Sequence, residues 1–318
     1  EESIDDIKAM LSDGTKMDFI TAGMGGGTGT GAAPVIAQVS KELGILTVGI
    51  VTIPFKFEGN KKIDQALDGV DEMAKHVDAL LVINNERLRK VYPDLSLLNG
   101  FAKADDTLSV AARSIAEIIT VRGLINLDFN DVRTVLKDGG VAIMSTGFGE
   151  GEGRVRKAID DALNSPLLND NDVYNSQKIL LSIAFSSDNG TDGLAMEEMN
   201  EINNFMSRFG SNFELKWGIA IDNTLEKKVK ITILATGFGL DDLEDVANYH
   251  SRLDKARAQE EAQKKAEQEE ADAERSNRRD KYYRDNGDKL TKARPHIYLF
   301  SQDDLDNWID RKNGSEEC

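Results

Sequence analysis

Cysteine is almost absent from this sequence: among 318 residues, only Cys318 carries a thiol. A disulfide within this sequence is therefore excluded, and a lone thiol is typical of a protein that works in a reducing compartment such as the cytoplasm.

Basic residues are also scarce, with 39 lysines and arginines against 56 acids and a formal net charge of −17. So acidic a chain excludes a broad footprint for nucleic acid or anionic lipid, because both are polyanions.

Long apolar runs are missing as well. The longest, such as residues 45–55, are shorter than the roughly 20 residues that span a bilayer, which predicts no direct membrane insertion. A methionine start is also missing, because Glu1 leads directly into apolar positions at helical spacing, Ile4, Ile7 and Leu11. We expect that an earlier part of the fold is absent from this chain. What remains is long enough for two compact domains and a tail.

Glycine, in contrast, is concentrated in one stretch: residues 23–31, GMGGGTGTG, hold six of the 27 glycines. A short apolar segment precedes the stretch and apolar positions at helical spacing follow it, which predicts a strand-to-helix connection. Glycine lets backbone N–H groups approach a ligand closely, and the first helical turn offers unpaired donors to an anion. Pro34 suits the start of that helix, where no N–H is needed. The predicted phosphate cradle consists of Gly25, Gly26, Gly27, Thr28, Gly29, Thr30 and Gly31.

Two commoner phosphate loops are excluded by the spelling. A Walker loop needs Gly-Lys before serine or threonine, and the chain has no Gly-Lys pair. The pattern G-x-G-x-x-G fails in every register of residues 23–31, which argues against a dinucleotide oxidoreductase. A merely flexible glycine turn is the remaining alternative. Against it, GGGTGTG and the continuation through residues 32–59 resemble the tubulin/FtsZ family, and its FtsZ branch of bacterial cell-division GTPases rather than tubulin.

Strand and helix patterns alternate after the glycine stretch. The near-continuous apolar run at residues 45–53 is typical of a parallel strand covered on both faces, and a helical pattern then precedes a second apolar strand at 79–83. In such sheets ligands bind beyond the carboxyl ends of the strands. We therefore expect the glycine stretch, residues 55–59 and the Asn84-Asn85 pair to line one site.

Charges near these strand ends suit a nucleotide. Glu58 can accept from ribose hydroxyls and Lys62 can balance phosphate charge, although an ordinary exposed charge at a helix start explains each residue on its own. The resemblance implies nucleotide contacts at both positions, and Asn85 is a third candidate. The family usually has arginine where Lys62 stands, so that a point charge here replaces a bidentate fork.

A long helix is predicted over residues 95–120, with an apolar stripe that includes Leu98, Phe101 and Ile115. Guanine presents two adjacent N–H donors, which one carboxylate accepts together, and adenine lacks this pattern. Asp105 is therefore the candidate guanine contact, with Phe101 one turn earlier as a ring for stacking. The alternative is that Asp105 is an ordinary solvated acid, which is favoured without the resemblance.

A second candidate site lies at residues 126–132, NLDFNDV, where Asp128 and Asp131 stand three apart at a predicted helix start. On spacing alone, an N-cap with a supporting acid at the third position is the favoured interpretation. The stretch resembles the family's catalytic loop, which acts on the nucleotide of the neighbouring subunit. The resemblance implies that Asp128 and Asp131 polarise and orient the attacking water and that Asn126 positions it.

The predicted fold is α/β and, by the resemblance, tubulin-like. Its predicted divisions are a truncated parallel-sheet GTP-binding domain (1–93), a long central helix (94–121), an α+β domain with the catalytic loop (122–240), a charged linker (241–293) and a terminal partner-binding peptide (294–318). The linker has no apolar stripe, so a helix there would be polar all round, and disorder is expected. The terminal peptide carries an apolar cluster at residues 297–300, typical of a segment that folds on a partner.

By resemblance the chain is a cytoplasmic GTPase that assembles head to tail into filaments of the bacterial division ring. The implied ligands are GTP and Mg²⁺, with no identifiable protein ligands for the metal. The implied partners are further copies of the chain and, through the terminal peptide, membrane-tethering or division-regulating proteins. The alternative is a structural filament protein that binds nucleotide with little hydrolysis, against which the two acids at Asp128 and Asp131 argue.

Overall fold

The computed structural model describes residues 4–165, 173–187, 193–209 and 213–290. The chain divides into two compact units, Glu1–Arg252 and Leu253–Cys318. The predicted partner peptide, residues 294–318, lies outside the described residues. Within the described ranges, no helix combines the length and the apolar character that crossing a bilayer requires.

The first unit alternates helices and strands along most of its length. Its helices are α1 (Ile4–Leu11), α2 (Gly27–Glu42), α3 (Asn60–His76), α4 (Asn85–Val91), α5 (Leu97–Thr120), α6 (Phe129–Leu136), α7 (Arg154–Leu163), α8 (Met199–Met206) and the start of α9 (Glu244–Leu290). Its strands are β1 (Met17–Gly23), β2 (Leu46–Ile53), β3 (Ala79–Asn84), β4 (Gly123–Ile125), β5 (Gly140–Gly149), β6 (Lys178–Phe185), β7 (Glu214–Ile221) and β8 (Val229–Phe238). The α/β class predicted from the sequence is confirmed.

The strands of the described residues form one sheet in the order β1-β2-β3-β5-β8-β6-β7-β4. The first four strands in this order run parallel, and β8 is antiparallel to both β5 and β6. All residues of β2 are buried, which explains its near-continuous apolar sequence. Ala79 of β3 pairs with Gly140 of β5, so the two halves that were predicted as separate domains share a sheet inside one compact unit. The division between them stays a prediction.

Helix α2 begins earlier than the glycine pattern suggested. It starts at Gly27, so the connection after β1 is short and the last part of the predicted loop is helical. The expectation for Pro34 is wrong, since this proline lies inside α2 rather than at its start. The sequence does not indicate where α2 begins, because glycine can adopt both helical and loop conformations.

Helix α5 forms where predicted but buries a different stripe. Leu98, expected on the buried face, is 79% exposed, whereas Ile115 is fully buried as expected. The residues that α5 does bury are Ala104, Thr107, Ala111, Ser114, Ile115 and Ile118. Ala111, Ile115 and Ile118 join the core formed by β2, β3 and α6. Helical periodicity identifies an amphipathic helix, but it does not tell which turns reach the sheet.

The tail differs from the expectation of a disordered linker. The core continues past Asp241, because Leu243, Val246 and Tyr249 are at most 5% exposed. In the second unit the described residues continue α9 as helix, with every residue from 254 to 281 exposed. This part is polar all round, and pairs such as Lys264 with Glu260, 2.6 Å apart, join successive turns.

Candidate functional site

Three connections meet at the carboxyl edge of the parallel strands. Residues 24–26 follow β1, residues 54–59 follow β2 with a short 3-10 turn at Lys56–Glu58, and α4 begins at Asn85 directly after β3. Because β1, β2 and β3 are parallel neighbours, these connections lie side by side. This is the arrangement that the alternating pattern predicted.

The glycine connection is shaped by two close approaches. Gly25 has φ of +92°, and a Cβ built on it would lie 2.7 Å from the carbonyl oxygen of Lys62. A Cβ at Gly29 would lie only 2.2 Å from the carbonyl oxygen of Gly23, so α2 packs directly on the end of β1. Side chains larger than hydrogen are excluded at both positions. Lys62, at the start of α3, is therefore a direct neighbour of the glycine connection.

The other cradle residues face open space. A Cβ at Gly26, Gly27 or Gly31 would meet no atom within 4 Å. No side chain caps the start of α2, so the N–H groups of its first turn are available to an anion. Thr28 is exposed, while the hydroxyl oxygen of Thr30 accepts from the N–H of Gly25 at 2.9 Å. Thr30 therefore shapes the loop through its oxygen, while its O–H remains a donor.

Glu58 and Lys62 contact each other. The Lys62 ammonium lies 2.6 Å from Oε2 of Glu58, and Oε1 of Glu58 accepts from the N–H of Phe55 at 2.9 Å. The Glu58 side chain is only 14% exposed, so its carboxylate is held in a fixed position. The pair places one cation and one carboxylate at the start of α3, with Lys62 beside Gly25.

Asn85 is buried, at 6% exposure, and its Oδ1 atom accepts no hydrogen bond within the described part of the chain. A buried acceptor without a donor costs free energy, so such an atom calls for a missing partner. Its neighbour Asn84 caps α4 by accepting from the N–H of Glu86 at 2.8 Å. Glu86 in turn accepts from the N–H of Lys56 at 3.1 Å, which joins the second and third connections.

The charge of Glu86 is secured by its surroundings. Burial raises the pKa of this carboxyl, but the hydrogen bonds from Arg89 and from the N–H of Lys56 outweigh that effect and hold the pKa below its ordinary value. Glu86 therefore stays ionised at neutral pH and keeps the two connections joined.

Aromatic rings close one side of the edge. Phe55 and Phe57 stack with centroids 5.1 Å apart, and Phe101 of α5 meets them edge-on at 5.4 Å and 6.1 Å. Asp105 lies one turn after Phe101 and is exposed. The structure thus brings Phe101 to the strand edge. The sequence analysis missed Phe57, which is 57% exposed, although the spelling Phe-Lys-Phe-Glu-Gly beside Glu58 was a usable signal.

An apolar cleft of about 240 Å³ opens next to these rings. It is lined by residues of the β2–α3 connection, of α4 and of the start of α5, among them Phe55, Phe57, Leu88, Tyr92, Leu97 and Gly100. The cleft is adjacent to Phe57 and shares none of the predicted phosphate contacts. The edge therefore combines a polar region at the glycines with an apolar region at α5.

The predicted catalytic residues do not contact any of the groups at this edge. Asp128 accepts from the N–H of Asp131 at 3.0 Å, and Asp131 accepts from the N–H of Asp128 at 3.1 Å, which is a capping box at the start of α6. Asp131 also lies 3.4 Å from the ammonium of Lys216, and Asn126 accepts from the N–H of Gly123 at 2.8 Å. The hydrogen bonds between Asp128 and Asp131 are therefore those of a helix cap, the interpretation that their spacing alone favoured.

Helix α6 ends at the opposite edge of the parallel strands. Arg133 of α6 and Lys137, which follows the helix, share a cleft of about 210 Å³ with Leu46 and Asp78, at the amino ends of β2 and β3. The eight residues of β2 extend about 26 Å from this edge to the glycine edge. The described residues contain no group of three acidic, histidine or cysteine side chains that could hold a metal ion.

Comparisons with known proteins agree with this architecture. A model of the Tubulin/FtsZ family GTPase domain matches residues 1–93, and one of the FtsZ family C-terminal domain matches residues 140–239. The cell division protein FtsZ of Porphyromonas gingivalis is 58% identical over 242 residues, which are 76% of this chain and 52% of that protein. The cell division protein FtsZ of Azotobacter vinelandii is 46% identical over 233 residues, 73% of this chain and 58% of its own length.

Solved structures give the same result. An FtsZ dimer from M. jannaschii matches with a TM-score of 0.67 and 40% identity over 74% of this chain and 67% of that chain. The chain spans only about half to three fifths of the two relatives described above. Both halves nevertheless match FtsZ-family models, and the 40% identical structure is covered over two thirds of its length. This chain belongs to the tubulin/FtsZ family, in its FtsZ branch.

Proposed function

We propose that this chain belongs to a GTP-hydrolysing cytoskeletal protein that assembles head to tail into filaments of the bacterial division ring. One subunit holds GTP at its glycine edge, and the next subunit supplies Asp128 and Asp131. We call residues 126–132, which carry Asp128 and Asp131, the acidic loop. One observation carries the proposal: the acidic loop and the groups at the glycine connection lie at different regions of one sheet and make no contact. Each chain thus offers two half-sites, which a head-to-tail contact between two chains completes.

The nucleotide half-site has a place for each part of GTP. The phosphates lie on Gly25, Gly26, Gly27, Gly29 and Gly31 and on the hydroxyl of Thr28, with Thr30 shaping the loop and Lys62 supplying the charge. Glu58 faces the ribose. The base stacks on Phe101 and donates to Asp105, and the free Oδ1 of buried Asn85 accepts a hydrogen bond from the nucleotide. Burial of that acceptor next to the other groups supports a bound donor in this position.

A magnesium ion suits the proposed GTP chemistry, but the described side chains do not form a metal site of their own. The described residues contain no group of three acidic, histidine or cysteine side chains that could hold the ion, so phosphate oxygens and water would hold it. When bound, it supplies charge neutralisation on the phosphates. The chain's own residues position the nucleotide and, from the next subunit, orient the attacking water between Asp128 and Asp131, with Asn126 holding the loop that presents them.

The names of the relatives, both cell division proteins, support the proposed cellular setting. We place the protein in the cytoplasm at the division site, with further copies of itself as its main partner. The dimer solved for the M. jannaschii protein supports self-association as a family property. Residues 294–318 are the proposed contact for membrane-tethering or division-regulating proteins.

Complementation between two chains tests the shared site. The acceptor is full-length P. gingivalis FtsZ with alanine at the position of Asp131, so that its GTP face is kept and one of the two proposed acids is removed. Adding this 318-residue chain should restore phosphate release from GTP by about a hundredfold, the scale of a positioned acid or base. The same chain with Asp131→Asn is the control and should restore almost nothing.

Two results distinguish the alternatives. If the unaltered acceptor protein restores release but this chain does not, the acids of this chain do not act on a neighbour, and the GTPase proposal is wrong. If the mixture forms filaments by sedimentation without releasing phosphate, the structural filament protein with little hydrolysis is favoured instead.

A further inference from the structure

The solvent face of α3 carries three aspartates in register. Asp64, Asp68 and Asp71 are spaced four and three residues apart, which places their side chains on one face of the helix. Each of the three binds one side chain from the start of α9. This acidic face is a docking surface for the base of the tail helix, and none of the proposed nucleotide chemistry uses it.

The contacts along this face are close. Nη2 of Arg252 lies 2.9 Å from Oδ1 of Asp64, and the hydroxyl of Tyr249 donates to Oδ1 of Asp68 at 2.7 Å. Nε2 of His250 lies 2.9 Å from Oδ2 of Asp71. We call residues 243–252, which include the buried side chains of Leu243, Val246 and Tyr249, the latch segment.

His250 bridges two carboxylates. Besides its contact with Asp71, its Nδ1 atom lies 2.9 Å from Oδ1 of Asp241. Carboxylates only accept, and a neutral imidazole carries one N–H, so both contacts are hydrogen bonds only when the ring is protonated. In the neutral ring, one nitrogen lone pair faces a carboxylate oxygen at hydrogen-bond distance. The geometry is that of an imidazolium ion.

We propose that the latch segment is a pH-sensitive contact: protonated His250 holds the base of α9 against α3, and loss of that proton loosens it. The charged and titratable groups around His250 are Asp64, Asp68 and Asp71 on α3, Asp241 before α9, and Tyr249 and Arg252 on α9 itself. Carboxylates predominate among them. The surroundings therefore favour the cationic ring.

The sign of the pH effect follows from the direction of the shift. The hydrogen bonds to Asp71 and then to Asp241 raise the pKa of His250 above its ordinary value of 6.5. A group whose pKa is raised on folding stabilises the folded contact below its ordinary pKa, and this stabilisation is lost as pH rises through the raised value. The latch segment is therefore held in acid and loosened in base.

The neighbouring side chains do not blur this effect. Burial and the hydrogen bond to Asp68 raise the pKa of Tyr249 to about 12, so its hydroxyl donates throughout the range in which His250 titrates. The apolar contacts of Leu243 and Val246 do not depend on protons. Among the side chains that the latch segment brings to α3, His250 is thus the one whose charge changes near neutral pH.

Amide hydrogen exchange of the 318-residue chain tests the proposal. Exchange is followed by mass spectrometry at about pH 6 and about pH 9, with labelling times adjusted to equal intrinsic exchange. Protection of residues 244–252 should be lost at the higher pH, because deprotonation of His250 removes one of its two hydrogen bonds to carboxylates. Peptides from β5 and β8 serve as internal controls for folding and should keep their protection.

Two matched variants identify the responsible ring. His250→Gln keeps one donor but cannot be charged, so the latch segment should be weakly protected at both pH values and show no pH dependence. His76→Gln removes the other described histidine. His76 lies on α3, with its Nε2 atom 3.2 Å from Oε1 of Glu72, and its replacement should leave the pH dependence intact. Asp241→Asn, at an 83% exposed side chain, is a mild second variant that should reduce the pH dependence without affecting the core.

Either of two results overturns the proposal. One is equal protection of residues 244–252 at both pH values in the unaltered chain. The other is a pH dependence that persists in His250→Gln while β5 and β8 remain protected. If His250→Gln loses the protection of the strands, the decision passes to Asp241→Asn, in which an unchanged pH dependence counts against the latch. None of these measurements involves GTP, so failure of the proposed GTPase does not affect them.

Discussion

Gly29 and Gly31 stand two residues apart in the same helical turn, yet their surroundings differ. A Cβ at Gly29 would lie 2.2 Å from a backbone oxygen of β1, and one at Gly31 would meet nothing within 4 Å. We expect Gly29→Ala to lower the free energy of unfolding by about 2 kcal/mol or more, because neither backbone can move aside easily. Urea denaturation measures this.

Gly31→Ala is the matched control for that substitution. It should stabilise the chain by about 0.5–1 kcal/mol, because alanine loses less backbone entropy in a helix. Equal effects of the two alanines would mean that the tight packing of α2 on β1 is not what keeps glycine at position 29.

Asp105 is the residue on which base selectivity depends in the proposed site. In Asp105→Asn, one of two acceptors facing the guanine N–H groups becomes a donor, so the preference for GTP should fall by about 1–3 kcal/mol if the contact is buried by nucleotide. Competition of ATP and XTP against labelled GTP measures this preference. Asp106→Asn, at the adjacent exposed acid, is the control. A preference that falls only in the control would assign the base contact to Asp106.

At the scale of the element, substitutions of Asp128 at the start of α6 separate its role as a helix cap from its proposed role in hydrolysis. Asparagine caps a helix about as well as aspartate, whereas alanine at the N-cap costs about 1 kcal/mol. We therefore expect Asp128→Asn to leave the urea midpoint unchanged and Asp128→Ala to lower it. In the complementation assay, both should lose phosphate release by about a hundredfold, because both lack the carboxylate. Full activity of the asparagine variant would reduce Asp128 to a helix cap.

Helix α9 is stabilised in two different ways along its length. Its start is held by three ionic or polar contacts with α3, by Asn84 bonding to Asp245, and by buried Leu243 and Val246. Among the described side chains of its later part, pairs such as Lys264 with Glu260 and Arg278 with Glu274 join successive turns. Tertiary contacts therefore explain the helix up to Arg252, and local charge pairs explain the rest.

At the scale of the whole molecule, the chain carries Asp128 and Asp131 but spans only 52% of the length of P. gingivalis FtsZ. If the proposed head-to-tail arrangement holds, we expect the chain as given to dock these acids on the GTP face of a complete subunit and to accept no further subunit. We therefore expect it to shorten filaments of full-length P. gingivalis FtsZ at substoichiometric ratios. Light scattering together with sedimentation measures filament length and mass.

A shorter version of the chain is the control for the tail. Because the first compact unit ends at Arg252, a chain that stops there should shorten filaments equally well. If filaments keep their length at equimolar amounts of either chain, the exposed acidic loop is insufficient for docking and the head-to-tail arrangement loses its support.

Much of the nucleotide edge could be predicted from the sequence because its signals are local. A glycine-rich strand-to-helix connection, apolar strands at 45–53 and 79–83, and the capping pair Asp128 and Asp131 all depend on neighbours within a few residues. Parallel alternation then places the connections after β1, β2 and β3 at one edge without any knowledge of side-chain packing. These elements and their common edge were correctly predicted.

Only the tertiary structure decided the features that depend on residues far apart in the chain. The unsatisfied acceptor of Asn85 and the exposure of Leu98 follow from how α4 and α5 pack on the sheet. The latch is the clearest case: His250 and Asp71 lie 179 positions apart, and nothing local to either residue indicates the contact. Sequence patterns encode periodicity and local propensity, whereas the partner of a charged or polar side chain is chosen by long-range packing, which one sequence does not display.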